Sequence, residues 1–341
     1  MSKMRVLALM HEDFLPPDSL DGLSEKEVYV LKTEYDVVTA LEHLGHEALS
    51  LGVTDDLEMI RGALDEFKPH VVFNLLEEFR SEGSEVPFVL GYLRLLRQPF
   101  TGCNPAGLLL ADHKPAMKKI LKYHDIPMPR FTVFEIGQSV RRPQGLSFPL
   151  IVKSATEHGS IGIAQASVVR SDQKLIDRVA YMHEQVGTDA IVEEYIDGRE
   201  LYVGVIGNGR LQTLPVWEMR FTSPVAGSAQ IATERVKWDV KHQAKLGLKN
   251  GLAEDLDPRV VAHMNEVCKR AYKILGLSGY ARMDFRLTPE GKAYLLEPNP
   301  NPDLAHDDDF AKAAEVAGIQ YEPLIQRVLN LARNHQSATS T

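Results

Sequence analysis

The N-terminal region alternates between short apolar runs and segments with the periodicity of a helix. Residues 4–10 form an apolar run that predicts a buried strand, and Val37, Leu41 and Leu44 then recur at the spacing of an amphipathic helix. The strand-like runs "EALSL" and "HVVFNL" follow, with the helical segment "DLEMIRGALDEF" between them. Because strands and helices that alternate in this way form parallel crossover units, residues 1–112 are predicted to form an open parallel α/β layer.

The pattern changes in the next region, residues 113–200. The apolar strands "PLIVKSA" and "AIVEEYI" flank an amphipathic helix, "DQKLIDRVAYMHEQ", and a further helix, "KPAMKKILKYHDI", precedes them. Short strands and helices in this mixture predict a small α+β region.

Residues 201–333 are predicted to form a second α+β region. It begins with a hairpin that turns at Asn208 and Gly209, and it ends with two amphipathic helices. The polar stretch 221–250 has no sustained period, which favours a long loop that acts as a lid. Residues 334–341 are small and polar and are predicted to be a disordered tail.

Composition and charge exclude several classes of protein. The 341 residues carry a formal net charge of -9, which argues against a nucleic-acid-binding surface. No apolar run reaches membrane-spanning length, and charge follows the apolar N-terminus too early for a signal peptide. Cys103 and Cys268 have no metal-binding spacing, and a chain without a disulfide framework is typical of the cytoplasm, which is the predicted location.

A proline-rich segment at the end of a predicted strand, "YLLEPNPNPDLAHDDDF", contains candidate metal ligands. Its prolines at 298, 300 and 302 are expected to forbid a helix and to block ordinary ladder pairing, which holds the backbone extended. On an extended chain, Glu297 and Asn299 project from the same face. Carboxylate and amide oxygens are hard donors that suit Mg²⁺.

A second strand carries charged residues that extend this candidate site. The segment "GYARMDFRL" places Arg282, Asp284 and Arg286 on one face at a period of two. Such a face predicts either a surface strand laced by ion pairs or a site for an anion and a metal together. Across the turn "TPEGKA", Glu297 and Asn299 are expected on the partner strand, close enough to share a metal with Asp284. Such a ligand set around Mg²⁺ is typical of phosphoryl transfer.

Two further segments have both a functional and an ordinary interpretation. The segment "KSATEHGSIGI" begins with Lys153 and continues through glycines that let the backbone approach phosphate oxygens. A mobile hairpin loop has the same composition. In "IVEEYIDGRE", the strand and loop could pair with adenine while Glu200 accepts ribose hydroxyl groups; the alternative is an edge strand with solvated acids.

In their order along the chain, these segments resemble the ATP-grasp ligases, and most closely the D-alanine–D-alanine ligase branch. The resemblance covers nearly the whole chain and rests on "VVFNLLEE", "PFTGCNP", "ADHKPAMKKIL", "PLIVKSATEHGSIGI", "AIVEEYIDGRELYVGVI", "SGYARMDFRL", "YLLEPNPNP" and "AAEVAGIQYEPLIQRVL". It implies an ATP-grasp fold, in which the N-terminal α/β layer is followed by a central lid domain (113–200) and a C-terminal catalytic domain (201–333).

The resemblance also implies an activity. This activity is ATP-dependent ligation of a carboxylate to an amine through an acylphosphate, with release of ADP and phosphate. The implied cofactors are ATP and two Mg²⁺ ions, with Mn²⁺ as a substitute, and the implied substrates are amino acids or small peptides. A homodimer is implied by the habit of the family, and neither nucleic acid nor a membrane is an expected partner. A true D-alanine–D-alanine ligase and a nucleotide-binding regulatory protein without ligation stay open as alternatives.

Individual residues resemble positions with known roles in the family. Those that resemble nucleotide-binding positions are Lys114, Lys153, Glu157, Glu194, Tyr195, Ile196 and Glu200. Those that resemble catalytic positions are Arg282, Lys237 in the long loop, and Gly159 and Ser160 in the lid loop 157–162. Those that resemble metal ligands are Asp284, Glu297 and Asn299. The resemblance implies that Arg282 stabilises the tetrahedral intermediate.

The acceptor half of the site departs from the family pattern. The family continues its metal motif into a turn with a serine and a leucine, whereas aspartates stand at 303 and 307–309 here. A carboxylate would repel a substrate carboxylate, so Asp308 is predicted to select an amine or another cation. The same aspartates are equally suited to cap the following helix. The predicted substrate-binding residues are Glu25, Glu85, Asp303 and Asp308.

Overall fold

The structure is a computed structural model that describes residues 3–157, 160–223 and 229–337, without the side chains of residues 237, 238, 240 and 334–337. Its strands are β1 (Arg5–His11), β2 (Glu47–Val53), β3 (Val71–Asn74), β4 (Phe131–Phe134), β5 (Leu150–Ser154), β6 (Val168–Val169), β7 (Ala190–Glu194), β8 (Arg199–Ile206), β9 (Gln212–Thr213), β10 (Trp217–Phe221), β11 (Leu248–Leu252), β12 (Tyr280–Leu287) and β13 (Ala293–Pro300). Its helices are α1 (Glu25–His43), α2 (Leu57–Phe67), α3 (Val86–Leu95), α4 (Pro105–Asp112), α5 (Lys114–Tyr123), α6 (Asp172–Tyr181), α7 (Glu234–Trp238), α8 (Val240–Leu246), α9 (Pro258–Ile274), α10 (Asp309–Val316) and α11 (Tyr321–Ser337).

The N-terminal strands form a parallel sheet in the order β2-β1-β3, which confirms the predicted α/β layer. Residues 6–10 of β1 are completely buried, as expected for a parallel strand covered on both faces. One face packs against α1 and α11 through residues such as Val37 and Leu324. As a result, α1 lies beside the loop that precedes α10, where Thr33 Oγ1 donates a hydrogen bond of 2.7 Å to Asp303.

The central strands form an antiparallel sheet in the order β4-β7-β5-β6. Its core is small and includes Val152 of β5, Val192 of β7 and Leu175 of α6. The predicted strands "PLIVKSA" and "AIVEEYI" are therefore direct neighbours. This pairing places Lys153 and Glu193 on adjacent strands.

The C-terminal strands form an antiparallel sheet in the order β11-β10-β8-β12-β13, with β9 also paired to β8. The hairpin predicted to turn at Asn208 and Gly209 is confirmed, since Val205 of β8 pairs with Thr213 of β9. In this sheet β12 lies between β8 and β13, and β13 is an edge strand. The strand that carries the charged face, β12, therefore has a neighbouring strand on each side.

The expectation that the prolines block ladder pairing is wrong. β13 continues to Pro300, and Met283 and Ala281 of β12 pair with Pro298 and Pro300. The edge position explains this pairing, because a residue that lacks an N–H is tolerated where one side of the strand has no partner. The predicted alternation is confirmed. Pro298 and Pro300 are buried, whereas Glu297 and Asn299 are half-buried and project from the opposite face.

The expectation of a long loop at 221–250 is wrong in the part of this stretch that the structure describes, since α7, α8 and the start of β11 lie there. The Thr233 side chain caps the start of α7, and the Asp239 side chain caps the start of α8. α8 ends at Gly247, whose φ of 58° lies in the left-handed region that favours glycine. Helices of 5 and 7 residues are too short to show a hydrophobic period, so the pattern did not reveal them.

The two predicted closing helices are α10 and α11. α11 ends at Ser337 and thus extends past residue 334, where a disordered tail was expected; residues 338–341 lie outside the described part of the chain. None of the helices in the described ranges is long and apolar enough to cross a membrane.

Candidate active site

The hairpin of β12 and β13 brings the predicted metal ligands together. In its register Asp284 lies opposite Glu297, and Arg282 lies opposite Asn299. Directly opposed residues on antiparallel strands have Cβ atoms about 5 Å apart and share one face of the sheet. The two carboxylates and the amide are therefore neighbours, which is the arrangement that the sequence predicts.

A β-bulge follows this pairing. Phe285 pairs with Leu295, so Leu296 is the extra residue on β13. The carbonyl of Leu296 accepts a hydrogen bond of 2.9 Å from Lys118 Nζ of α5. The bulge thereby links the hairpin of β12 and β13 to a second group of charged residues.

This second group is a network of buried charges. Glu193 is 1% exposed and forms ion pairs with Lys118 at 3.2 Å and with Lys153 at 3.3 Å. Lys114 lies one helical turn before Lys118 and is also buried, and its Nζ donates a hydrogen bond to the carbonyl of Glu157. The network joins α5, β5 and β7, and it contains both lysines that were predicted to bind nucleotide.

Burial and charge pairing oppose each other in this network. Burial alone would raise the pKa of Glu193 and lower the pKa of Lys153, but their ion pairing outweighs burial, so the pKa of Glu193 is lowered and that of Lys153 is raised. Burial dominates for Lys114 and Lys118 and lowers the pKa of both. The Glu297 carboxylate favours the charged form of each of these lysines. The hairpin and the lysines therefore belong to one electrostatic site.

Arg282 is held in place by its neighbours in the sheet. Its Nε and Nη2 donate hydrogen bonds of 2.8 and 2.9 Å to the Asp284 carboxylate, and its guanidinium lies 4.6 Å from the centre of the Tyr202 ring. Burial opposes the charged form, but Asp284 outweighs burial and holds the pKa of Arg282 well above its usual range. Arg282 is thus a charged donor of fixed orientation, which is what stabilisation of an oxyanion requires.

The loop after β5 contacts the region that was predicted to be the second part of the lid. The Gly162 N–H donates a hydrogen bond of 3.0 Å to the Glu234 carboxylate, and the Glu234 N–H donates one of 3.0 Å to the Ile163 carbonyl. Ser160 has a φ of 64°, and its carbonyl accepts a hydrogen bond from the Ile163 N–H. The two segments are therefore tied to each other near α7.

Two predicted catalytic residues lie wholly or partly outside the described part of the chain. Gly159 lies outside the described residues. Lys237 lies in α7, the helix that contacts the loop after β5, and its side chain is outside the description.

The predicted adenine-binding segment connects β7 to β8. The Tyr195 N–H donates a hydrogen bond of 2.9 Å to the Pro149 carbonyl, and the Glu194 carboxylate binds Arg130 at 2.6 Å. Ile196 follows and is half-buried. The segment is thereby anchored at its start, with its apolar side chains partly enclosed.

Glu200, the predicted ribose ligand, is the second residue of β8. Its carboxylate accepts hydrogen bonds from Arg286 at 2.5 Å and from Tyr202 Oη at 3.0 Å. The Arg286 guanidinium also lies 5.9 Å from the centre of the Tyr195 ring. The carboxylate is therefore oriented beside the predicted adenine segment.

Asp308 and Asp309 lie at the start of α10. Asp308 is the N-cap, and its carboxylate accepts a hydrogen bond of 2.7 Å from the Asp309 N–H, which confirms the capping interpretation for this residue. The Asp309 carboxylate accepts hydrogen bonds from Trp217 Nε1 at 2.8 Å and from Asn250 at 2.9 Å.

The three aspartates differ in their surroundings. The Asp307 side chain is 70% exposed and pairs with Lys312 at 3.2 Å. Asp308 instead faces other acids: burial, together with the carboxylates of Asp303 and Asp309, raises its pKa to about 7. Asp308 is thus a candidate substrate contact, whereas Asp307 faces solvent.

A glutamate that the sequence did not single out lies in the same region. Glu34 of α1 is 5% exposed, and burial, together with the carboxylates of Glu77 and Asp303, raises its pKa to about 8. Glu77 follows β3, and Asp303 acts on its carboxyl group as well. We call Glu34, Glu77, Asp303 and Asp308 the acidic recess.

The remaining predicted substrate residues are Glu25 and Glu85. Glu25 is the exposed first residue of α1, about 13 Å along the helix axis from Glu34. Glu85 ends the short 3-10 helix Gly83–Glu85 and lies 3.8 Å from Arg80. Their roles in substrate binding stay predictions.

The central and C-terminal parts of the chain match one protein family. The family model described as D-ala D-ala ligase C-terminus matches residues 120–330, which is more than half of the chain. The chain belongs to the D-alanine–D-alanine ligase family.

Known relatives extend this likeness to the N-terminal region. A D-alanine--D-alanine ligase of Desulforudis audaxviator is 30% identical over 318 residues, which cover 92% of this chain and 97% of the relative. An uncharacterized protein of Sinorhizobium fredii is 28% identical over 304 residues, which cover 87% of this chain and 86% of the relative. The structure of a D-alanine--D-alanine ligase from Bacillus anthracis complexed with ATP superposes with a TM-score of 0.76 at 21% identity, covering 98% of this chain and 99% of the other. This likeness shows a shared fold.

Membership of the D-alanine–D-alanine ligase family confirms three predictions from the sequence: the family, the ATP-grasp fold and the class of enzyme. The family consists of ATP-dependent carboxylate–amine ligases. The roles of individual residues stay predictions.

The hairpin ligands fit a magnesium ion of the kind that accompanies ATP. Mg²⁺ is usually held by one or two carboxylates, with substrate phosphates and water completing its coordination. Asp284 and Glu297 supply two carboxylates, and Asn299 supplies an amide oxygen on the same face. Over the described ranges, no group of three or more His, Cys, Asp or Glu side chains could hold a metal ion by itself. Two carboxylates and an amide oxygen fit a magnesium ion whose remaining ligands are phosphate oxygens and water.

Reasoning from the sequence missed three buried residues of this site: Lys118, Glu193 and Glu34. Lys118 follows Lys114 by four residues, which places both on one face of a helix, so the spacing was a usable signal. Glu193 precedes Glu194 on a strand, where adjacent side chains point to opposite faces, so one of the two had to point inward. Glu34 had no comparable signal, because a single acid in an amphipathic helix is ordinary.

We expect the wild type to lose stability relative to a Glu34→Gln variant as the pH rises from about 5 to about 8. The ordinary pKa of 4.5 for this glutamate is raised to about 8 in the folded protein. Between these values the folded protein retains a proton that the unfolded chain has released, so a rising pH favours unfolding. Urea unfolding of both proteins across this range measures the effect, and subtraction removes the contribution of other groups. A difference that does not change with pH would contradict the prediction.

Proposed function

We propose that this chain joins the carboxylate of one amino acid or small peptide to the amine of another, through an acylphosphate formed from ATP. The observation that supports this most is that the Glu297 carboxylate, which lies opposite Asp284 in the hairpin, acts on the buried ammonium groups of Lys114 and Lys153. Positive charge and hard oxygen ligands in one partly buried site suit a nucleoside triphosphate and its metal. The ATP in the Bacillus anthracis structure supports the same assignment.

In the proposed nucleotide site, Lys114 and Lys153 neutralise the phosphates. The segment from Glu194 to Ile196 binds the adenine, and Glu200 binds the ribose. The loop 157–162, with Glu157, Gly159 and Ser160, closes over the phosphates together with Lys237 on α7. The hydrogen bonds that join Glu234 to Gly162 and Ile163 support a coupled closure of these segments, which would exclude water from a reactive acylphosphate.

In the proposed metal site, Asp284, Glu297 and Asn299 hold Mg²⁺, and Mn²⁺ prefers the same oxygen donors. The bound metal would neutralise negative charge on the phosphates during transfer. The protein's own contribution is to hold these three ligands in register on one hairpin, with the bulge at Leu296 tying the hairpin to α5.

The proposed reaction balances as carboxylate, ATP and amine giving amide, ADP, phosphate and a proton. A carboxylate oxygen bonds to the γ-phosphorus as the bond to ADP breaks. The amine nitrogen then bonds to the carbonyl carbon, the bond to phosphate breaks, and the amine loses its proton to solvent. An oxyanion exists after the amine has bonded to the carbonyl carbon and before phosphate leaves. The Arg282 guanidinium stabilises this oxyanion as a charged donor whose orientation is fixed before the reaction begins.

D-Alanyl-D-alanine is the second candidate product. The activity of the Desulforudis audaxviator relative favours it. The acidic recess opposes it, since Asp303 and Asp308 would repel the carboxylate of an acceptor D-alanine. Arg282, already paired with Asp284, offers only partial compensation.

A coupled assay of ADP release over pairs of D- and L-amino acids, with the amide product identified by mass spectrometry, tests the proposal. We expect ADP and an amide in equal amounts for at least one pair. Saturable ATP binding with neither product for any amine–carboxylate pair would instead indicate a nucleotide-binding protein without ligation.

We expect Lys114→Ala to weaken ATP binding by at least about tenfold and to lower turnover. Lys114 is buried at the site, and its ammonium group would be lost where phosphate charge gathers. Lys122→Ala is the matched control, because Lys122 lies on the same helix but is exposed. Titration with ATP and the ADP assay measure both variants, and equal affinities in the two would exclude Lys114 from the nucleotide site.

We also propose a homodimer, as the family resemblance implies. Phe88 and Leu95 lie two helical turns apart on α3 and are 66% and 83% exposed. Exposed apolar side chains on one helix support a dimer interface at α3. Sedimentation equilibrium measures the oligomeric state, and a monomer at micromolar concentration would contradict this proposal.

A further inference from the structure

Arg286 is a buried arginine that binds three separate segments of the chain. It lies near the end of β12 and is only 4% exposed. Its Nη1 donates a hydrogen bond of 2.9 Å to the Gly198 carbonyl, between β7 and β8. Its Nη2 donates hydrogen bonds of 2.5 Å to Glu200 Oε2 and of 2.6 Å to the Gln230 carbonyl. The guanidinium group therefore joins the start of β8 to the segment that precedes α7.

The Glu200 carboxylate takes its orientation from this arginine. Glu200 and Arg286 lie directly opposite each other on the antiparallel strands β8 and β12. Oε2 of Glu200 accepts the hydrogen bond from Arg286, and Oε1 accepts one of 3.0 Å from Tyr202 Oη. Because each carboxylate oxygen has two lone pairs, both oxygens can still accept a hydrogen bond from a ligand. Arg286 thus orients the carboxylate and leaves it able to bind a ribose hydroxyl group.

The contacts of Arg286 continue from Gln230 to the loop after β5. Gln165 Nε2 donates a hydrogen bond of 2.9 Å to the Ala229 carbonyl, and Gln165 Oε1 accepts one of 2.9 Å from the Ala229 N–H. Gln165 begins the short 3-10 helix that follows this loop, and Ala229 is joined to Gln230 by a peptide bond. A continuous path of hydrogen bonds and backbone therefore connects Glu200, through Arg286, to the loop after β5.

Arg199 makes contacts of the same kind outside this path. It donates hydrogen bonds of 2.7 and 2.6 Å to the Glu218 carboxylate and one of 2.8 Å to the Glu254 carbonyl. Adjacent residues of a strand point to opposite faces, so Arg199 and Glu200 project from opposite faces of the sheet. Arg199 is therefore a matched control for Arg286: it binds one carboxylate and a backbone carbonyl, but it does not contact Glu200.

We propose that Arg286 is a positioning residue that makes turnover depend on the ribose of the bound nucleotide. This inference rests on the proposed ligase function, in which Glu200 binds the ribose and the loop after β5 covers the phosphates. A ribose hydroxyl group bound to Glu200 holds the carboxylate against Arg286, and Arg286 holds Gln230 where its neighbour meets Gln165. Because the same contacts serve both ends of the path, ribose binding and covering of the phosphates favour each other. A nucleotide without ribose hydroxyl groups loses this effect, so its acylphosphate forms more slowly.

Two nucleotides that differ only in the ribose test the inference. ATP and dideoxy-ATP, which lacks both ribose hydroxyl groups, are compared as substrates with an amino-acid pair that the protein ligates. We expect dideoxy-ATP to have a KM at least about tenfold higher and a kcat at least about threefold lower than ATP in the wild type. An equal kcat for both nucleotides would overturn the inference, because the ribose would then contribute to binding alone.

Two variants separate the role in binding from the role in turnover. Gln165→Ala breaks the path beyond Glu200, at an exposed residue, so we expect the wild-type ratio of KM values and a kcat ratio close to one. Arg286→Lys keeps the charge, but an ammonium group lacks the rigid fork that holds three acceptors, so both ratios should approach one. Arg199→Lys should keep both wild-type ratios. A loss of activity that is equal for the two nucleotides in Arg286→Lys and Gln165→Ala would indicate a structural role only and would overturn the inference.

Hydrogen exchange separates this inference from the proposed function, because it needs neither an acceptor nor turnover. The backbone amides of residues 160–163 and 229–236 are followed with saturating non-hydrolysable analogues of ATP and of dideoxy-ATP. We expect stronger protection by the ATP analogue in the wild type and in Arg199→Lys, and equal protection by both analogues in Arg286→Lys. This result supports the inference even if no amino-acid pair is ligated. Equal protection by both analogues in the wild type would end the inference, and the proposed function would stand if ligation is measured.

Discussion

Replacing Glu297 by glutamine is expected to lower kcat for ADP formation by about a thousandfold or more, while the fold is retained. Glutamine has the size of glutamate but not its charge. The change weakens a hard anionic ligand opposite Asp284, and it removes the carboxylate that favours the charged forms of Lys114, Lys118 and Lys153. Both losses fall where phosphoryl charge develops, so the activation barrier should rise by about 4 kcal/mol.

Glu290→Gln is the matched control for this variant, because it makes the same change in the exposed turn between β12 and β13. ADP release at saturating Mg²⁺ is measured together with the melting temperature. A second readout is independent of turnover: affinity for the nucleotide should rise with Mg²⁺ in the control but hardly at all in Glu297→Gln. Near-normal rates in folded Glu297→Gln would remove Glu297 from the metal site.

The charged hairpin could be predicted from the sequence because its residues lie close together along the chain. Asp284, Glu297 and Asn299 lie on two strands joined by a short turn, so a period of two and the turn length together fix which side chains are neighbours. The prediction that the prolines block ladder pairing was wrong because it also considered only the local sequence. Whether a strand tolerates proline depends on whether it lies at the edge of its sheet, and that position is a property of the whole sheet.

The acidic recess could not be predicted in the same way, because its members meet only in the folded chain. Glu34 and Asp303 come from opposite ends of the sequence, and they meet because α1 and the loop before α10 pack on the same parallel sheet. The sequence placed Asp308 at a helix cap or at a substrate site, and the structure shows that the cap borders the recess. A capping role and a substrate contact are therefore compatible for this residue.

The buried charge network carries the second large prediction. Glu193→Gln is expected to lower the free energy of unfolding by about 3 kcal/mol or more. Glu193 is the shared partner of Lys118 and Lys153, and it is 1% exposed. Without this carboxylate, burial acts on Lys118 with less opposition, so its pKa should fall further. The variant must either keep poorly paired buried charges or release a proton from a lysine.

The adjacent residue provides a control with the same chemical change. Glu194→Gln removes an ion pair whose Arg130 partner is 63% exposed, and exposed pairs of this kind contribute up to about 1 kcal/mol. Urea unfolding without nucleotide compares the two variants, and ATP titration then measures binding to each folded variant. We expect Glu193→Gln to be much less stable than Glu194→Gln, and to bind ATP more weakly than the wild type because Lys153 loses the contact that positions it. Equal stability of the two variants would show that the lysines are solvated or paired elsewhere, and the network would then have no role in holding the nucleotide lysines in place.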